Sequence, residues 1–310
     1  MNTGIVKYGL IFSILSGFIL SACSAEPNNS TVEKFVMGEP SSTAVTLNDT
    51  DTPQVEVAFT ALEEMIPIQI TTADGRVLNG IYYPAAIPSA PLVVLMHWAA
   101  GDQTDMAELA MWLQNRGLAG TIQREINNKP WLDPGWFPAI SADKSYAVLT
   151  FTFDGCEGGC SSFIRDKWLL DAQAAAEAGY VLEGIDRNRV VFVGASIGAD
   201  GAADGCLYLN GLHVNACQGA FSISPGNYLT ADYAQVVAEL SGMVPAVATE
   251  CLYAKGDGES ARICQSIDDT PAFQAVEYSG NYHGLMLVQP GLEHDALSIF
   301  LQFLGDTLGE

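Results

Sequence analysis

Two alternating stretches open the part of the chain that reads as folded. Residues 66–71 and 77–83 alternate apolar and polar positions around Ala73-Asp74-Gly75, the pattern of a β-hairpin closed by an Asp-Gly turn. Leu92-Val93-Val94-Leu95-Met96 is apolar without a break, which predicts a strand covered on both faces. Between 104 and 115, Met106, Leu109, Ala110 and Leu113 recur at helical spacing. The same signatures run to the end of the chain: strands over 146–153, 189–193, 218–223, 248–254 and 272–278, helices over 165–182 and 291–304. Strands alternating with helices predict βαβ units, and hence an α/β fold: a mostly parallel twisted sheet with helices on both faces. Sites in such sheets lie just beyond the carboxyl ends of the strands.

Residues 120–140 break this alternation. They are loop-like yet aromatic, with Trp131, Trp136 and Phe137 among prolines and asparagines. Two expectations follow: a surface loop that packs its own rings, or a flap that gives a nearby site hydrophobic contacts.

The N-terminus has its own pattern. Residues 1–22 contain one lysine (Lys7), no acids and an apolar run over 10–20, the shape of an export signal and too short for a comfortable membrane span. The run ends in Leu20-Ser21-Ala22-Cys23, which resembles the bacterial lipobox, where the cysteine is lipidated and becomes the new N-terminus. Residues 23–60, rich in Ser, Thr, Asn, Asp and Pro, read as a flexible tether. Residues 61–310 are then one domain, long enough for a sizeable core. The expected location is the bacterial cell envelope, outside the cytoplasm, with the membrane as a partner through the lipid.

Composition narrows the partners. The 310-residue chain has 36 acidic and 13 basic residues, a formal net charge of −23. Such a balance argues against nucleic acid, whose backbone is bound by basic patches. With Cys23 lipidated, six of the seven cysteines remain: Cys156, Cys160, Cys206, Cys217, Cys251 and Cys264. An even number in an exported chain suggests disulfides. Proximity favours Cys156–Cys160, Cys206–Cys217 and Cys251–Cys264, although the sequence leaves the connectivity open. No Cys-x2-Cys or His-x3-His spacing suggests a metal.

The candidate chemistry sits at Arg189-Val190-Val191-Phe192-Val193-Gly194-Ala195-Ser196-Ile197-Gly198. A strand runs into Gly-x-Ser-x-Gly and a small-residue helical stretch follows, the context in which that serine is a nucleophile on a sharp strand-to-helix turn. A serine hydroxyl needs a base to take its proton and an acid to orient that base. Of the four histidines, His97 ends a buried strand, His213 sits at a helix end, and His294 lies in the last helical pattern. His283 follows the last strand in a loop and is the candidate base. The acid is expected after the penultimate strand, where Asp257 is better placed than Glu259 or Glu250. Fixed N–H donors for a developing oxyanion are expected from Ile197 and from Trp98 or Ala99. His97 is expected to brace the loop that carries the latter two.

Taken in order, these residues resemble the dienelactone-hydrolase-like group of α/β-hydrolases. The matching pieces are Leu95-Met96-His97-Trp98-Ala99-Ala100-Gly101-Asp102, Phe153-Asp154-Gly155, Gly194 to Asp200, Ser222-Ile223-Ser224-Pro225-Gly226, the acid after Tyr253, and His283-Gly284 with Met286. The resemblance covers about residues 66–308. It implies an α/β-hydrolase fold, with Ser196, Asp257 and His283 in the family's serine, acid and histidine positions. Three departures stand out. His97-Trp98 replaces the usual His-Gly, Cys156 and Cys160 flank what is otherwise a plain turn, and Ser196 stands where true dienelactone hydrolases have cysteine. The expected activity is hydrolysis of small carboxylic esters through an acyl-enzyme, without metal or organic cofactor. A peptidase, thioesterase or acyltransferase with the same residues, or an inactive binding module on this scaffold, are the alternatives.

Overall fold

The computed structural model describes residues 65–116, 133–229, 231–268 and 270–309. The expectations for residues 1–60, Cys23 included, and for residues 120–132 therefore fall outside the described residues.

The strands are β1 (Ile66–Thr71), β2 (Val77–Tyr83), β3 (Ala90–Met96), β4 (Ala147–Phe151), β5 (Ile185–Ala195), β6 (Cys217–Ile223), β7 (Ala248–Ala254) and β8 (Phe273–Tyr278). The helices are α1 (Ala107–Gln114), α2 (Arg165–Tyr180), α3 (Ile197–Leu212), α4 (Tyr233–Ser241), α5 (Gly258–Cys264) and α6 (Ala296–Leu308). One sheet runs in the order β1-β2-β4-β3-β5-β6-β7-β8. The β1–β2 hairpin turns at Asp74-Gly75 and joins β4 antiparallel, whereas β4-β3-β5-β6-β7-β8 is parallel throughout.

Every residue of β3 is buried, as its unbroken apolar run requires. Its side chains alternate between two cores. Leu92, Val94 and Met96 pack with Trp168 and Ala172 of α2, Leu209 of α3 and Leu240 of α4. Val93 and Leu95 pack with Leu109 and Leu113 of α1 and with Phe300 and Leu304 of α6. Each such buried side chain contributes about 1.5–3 kcal/mol of transfer free energy.

Three differences from the periodicity have local causes. β5 starts at Ile185, four residues before the expected start at Arg189, because Asp186, Arg187, Asn188 and Arg189 hide the strand pattern. α6 starts at Ala296, since the Asp295 carboxylate accepts the Leu297 and Ser298 N–H groups at 3.1 and 3.3 Å and caps the helix there. His294 therefore stands in the preceding turn rather than in a helix. α4 and α5 were not foreseen: α5 is seven residues long and begins on glycine, too short for a period to emerge.

The six cysteines form three bonded pairs: Cys156–Cys160, Cys206–Cys217 and Cys251–Cys264. At the described end of the 120–140 segment, Phe137 stacks on Trp112 with centroids 5.2 Å apart, and the Trp112 indole N–H donates to the Pro138 carbonyl. That end of the segment is anchored on α1.

Candidate active site

Ser196 links β5 to α3 with φ 55 and ψ −117, a conformation that side chains rarely adopt. Its N–H donates to the Ile223 carbonyl at 2.8 Å, which pins the turn to the end of β6. Two glycines let the chain pass itself there. A Cβ on Gly194 would lie 1.9 Å from the Gly198 carbonyl oxygen, and one on Gly198 would lie 2.3 Å from that of Met96. The strain at Ser196 is thus imposed by the packing around it.

His283 lies in the loop after β8, with Nε2 at 2.9 Å from Ser196 Oγ. Its Nδ1 is 2.7 Å from Asp257 Oδ2. Asp257 occupies the N-cap position of α5, yet its carboxylate makes no capping bond and is turned to the imidazole instead. The loops carrying acid and histidine are joined past the strand ends: Lys255 N–H donates to the Tyr278 carbonyl and Gly256 N–H to that of Gly280. Burial alone would raise the Asp257 pKa. The facing imidazole and, to a smaller extent, the Ser260 and Ser224 hydroxyls together outweigh burial, so the carboxyl is held below its ordinary value.

Ser224 was not among the expected site residues. It is fully buried, and its Oγ accepts the Gly284 N–H at 2.9 Å, which ties the end of β6 to the histidine loop. Tyr228 was missed too; its ring stands edge-on to His283 with centroids 6.1 Å apart. Burial, then the Asp257 charge, push its phenol up to about 12. The segment under Tyr228 is clamped from both sides. The Asp200 carboxylate accepts the N–H groups of Gly226, Tyr228 and Leu229. The Arg165 guanidinium donates to the carbonyls of Asn227, Tyr228 and Leu229. No sequence motif announces these partners, which meet only when the loop closes.

Among the described residues, the N–H groups of Ile197 and Ala99 donate to no acceptor. The loop carrying Ala99 is held from two directions. Buried His97 accepts the Phe153 N–H at Nε2, 3.0 Å away, so its proton lies on Nδ1 and is donated to the Trp98 carbonyl at 2.7 Å. Cys160 N–H donates to the Ala99 carbonyl at 2.8 Å, and Gly158 N–H to Asp102 Oδ2 at 2.7 Å. The Trp98 indole N–H is committed to Asp105. The other expected candidates lie elsewhere. His213 is exposed and stacks on Tyr180, and His294 is exposed against Tyr278. Glu259 pairs with Arg262, and Glu250 is buried within β7.

A mostly parallel sheet sandwiched between helices, with a serine on the β5–α3 turn and a histidine after the last strand, defines the α/β-hydrolase fold. The chain is similar in structure to an esterase from Pyrococcus furiosus, with 16% identity, 84% of this chain and 98% of that one covered, and a TM-score of 0.51. It is likewise similar to an esterase from Pyrobaculum calidifontis at 14% identity, with 81% and 88% covered and a TM-score of 0.52. A third similar structure is 2,6-dihydroxy-pseudo-oxynicotine hydrolase, at 12% identity, with 79% and 68% covered and a TM-score of 0.51. No protein-family model matches the sequence, and no curated protein matches it. At these identities the likeness establishes the fold.

Proposed function

We propose that this chain is a serine hydrolase that cleaves small carboxylic esters. The observation that carries the proposal is the hydrogen-bonded chain from Ser196 Oγ through His283 to Asp257, at 2.9 and 2.7 Å, on a strained turn. In this mechanism His283 Nε2 takes the Ser196 proton as Oγ attacks the ester carbonyl carbon. Asp257 holds the proton on Nδ1 and balances the imidazolium charge. The N–H groups of Ile197 and Ala99 receive the oxyanion. Collapse breaks the bond to the alcohol, which leaves with the proton from Nε2. Water, deprotonated by the same nitrogen, then releases the acid and restores Ser196.

The N-terminus belongs to the same proposal. Residues 1–22 act as the export signal, Cys23 carries the lipid, and residues 23–60 tether the hydrolase domain, 61–310, outside the cytoplasm. The three disulfides support an oxidising compartment.

Replacing Ser196 tests the activity. Ser196→Ala is expected to lower turnover of short p-nitrophenyl esters by roughly 10⁴-fold or more and to abolish labelling by a fluorophosphonate. Labelling of this variant at the wild-type level would sink the assignment.

A further inference from the structure

A cleft of about 590 Å3 opens between α2, α3 and α4. It lies about 12 Å from Ser196 along α3, given the rise of a helix over the eight residues to Asp204. Leu169, Leu207 and Val236 give it apolar walls, with Gln173 and the Tyr208 ring beside them. Asp204 also lines it, although only 7% exposed.

Asp204 has no hydrogen-bond or ion-pair partner among the described residues. The other acids there are engaged. Asp232 caps α4 by accepting the Gln235 N–H, and Glu239 accepts from the Gln235 side chain at 2.9 Å. No lysine, arginine or histidine is among the described residues lining the cleft. Burial, then the nearby Asp200, push the Asp204 carboxyl up to about 8. A carboxylate so placed is costly unless a cation joins it. A divalent metal takes about six or more oxygen ligands, and one free carboxylate beside apolar walls does not supply them. A positive charge on a hydrocarbon body matches both the acid and the walls.

We propose that this cleft binds a small organic ammonium ion, its nitrogen paired with the Asp204 carboxylate and its hydrocarbon lying on Leu169, Leu207 and Val236. Binding ionises Asp204, so the fraction protonated beforehand gives its proton to solvent. The other titratable groups around Asp204 are Asp200 and Tyr208 on α3, Tyr233, Glu239 and the capping Asp232 on α4, and Glu177 on α2, which accepts the Tyr208 hydroxyl proton. Asp204 is the unpartnered carboxylate of the set.

Calorimetric titration of the full chain with n-hexylammonium chloride, at pH 7 and fixed ionic strength, tests this. Saturable one-to-one binding is expected, with proton release seen as a dependence of the heat on the buffer. 1-Hexanol, the neutral isostere, should bind weaker by about tenfold or more. Asp204→Asn should weaken the ammonium by a similar factor while melting no lower than the wild type. Gln173→Lys, which offers Asp204 a tethered ammonium, should exclude the probe. Equal binding by Asp204→Asn, or no saturable binding by the wild type, overturns the proposal. Tight calcium binding that blocks hexylammonium would overturn it in favour of a metal.

Discussion

Ser224 shows how one buried hydroxyl can serve two loops. Its Oγ accepts the Gly284 N–H and lies close enough to Asp257 to help hold that carboxylate ionised. Ser224→Ala orphans a buried N–H, which destabilises by about 1–3 kcal/mol. It also frees the loop that aims His283. The expected result is kcat lower by about tenfold with KM unchanged, since the change misplaces the base and leaves ester binding alone. A rise in KM with kcat intact would instead make Ser224 a residue of the substrate pocket. Ser196, His283 and Asp257 were legible in the sequence because each sits at a strand end whose position the periodicity reveals, and because only four histidines compete. Ser224, Tyr228 and Asp200 were not. Their partners lie tens of residues away and are selected by loop closure, which no local pattern records.

Among the elements, the loop between β4 and α2 couples a disulfide to the oxyanion loop. The Cys156–Cys160 bond closes a short turn whose N–H groups hold Ala99 and Asp102. A loop of this length yields only about 2 kcal/mol in the chain-entropy account. For a domain of this size, that corresponds to a Tm change of about 4–8 °C. Its larger effect is expected on catalysis. Replacing both cysteines with serine should lower kcat by about tenfold while Tm falls by no more than that interval, measured by ester turnover and thermal unfolding of the same preparation. Unchanged kcat would mean that His97 alone suffices to brace the loop. The parallel sheet was readable because β3 is buried on both faces and so apolar without interruption, and because the buried half of β5, from Val190 to Ala195, repeats the pattern. Elements held by a cap or by brevity, such as the start of α6 and all of α5, carry too little apolar periodicity to be read.

Across the whole molecule, four buried carboxyls are shifted in the same direction. Burial is the leading cause in each: Asp171 is pushed up to about 6, Asp200 and Glu250 to about 7, and Asp204 to about 8. In the unfolded chain these groups titrate near 3.8 for aspartate and 4.5 for glutamate. The folded state therefore holds more protons between about pH 4 and pH 8, and stability falls as pH rises through that window. Even about 2 kcal/mol of this effect would place Tm about 4–8 °C lower at pH 8 than at pH 5. The net charge of −23 acts in the same sense through surface repulsion, so the two sources must be separated. At 1 M salt the screening length shrinks to about 3 Å, which suppresses the surface contribution and leaves the buried carboxyls titrating. The decline of Tm from pH 5 to pH 8 is expected to persist in 1 M NaCl and to flatten when Asp204→Asn and Glu250→Gln are combined. Its disappearance in salt alone would assign it to the surface, and a Tm that climbs with pH would contradict the raised carboxyls.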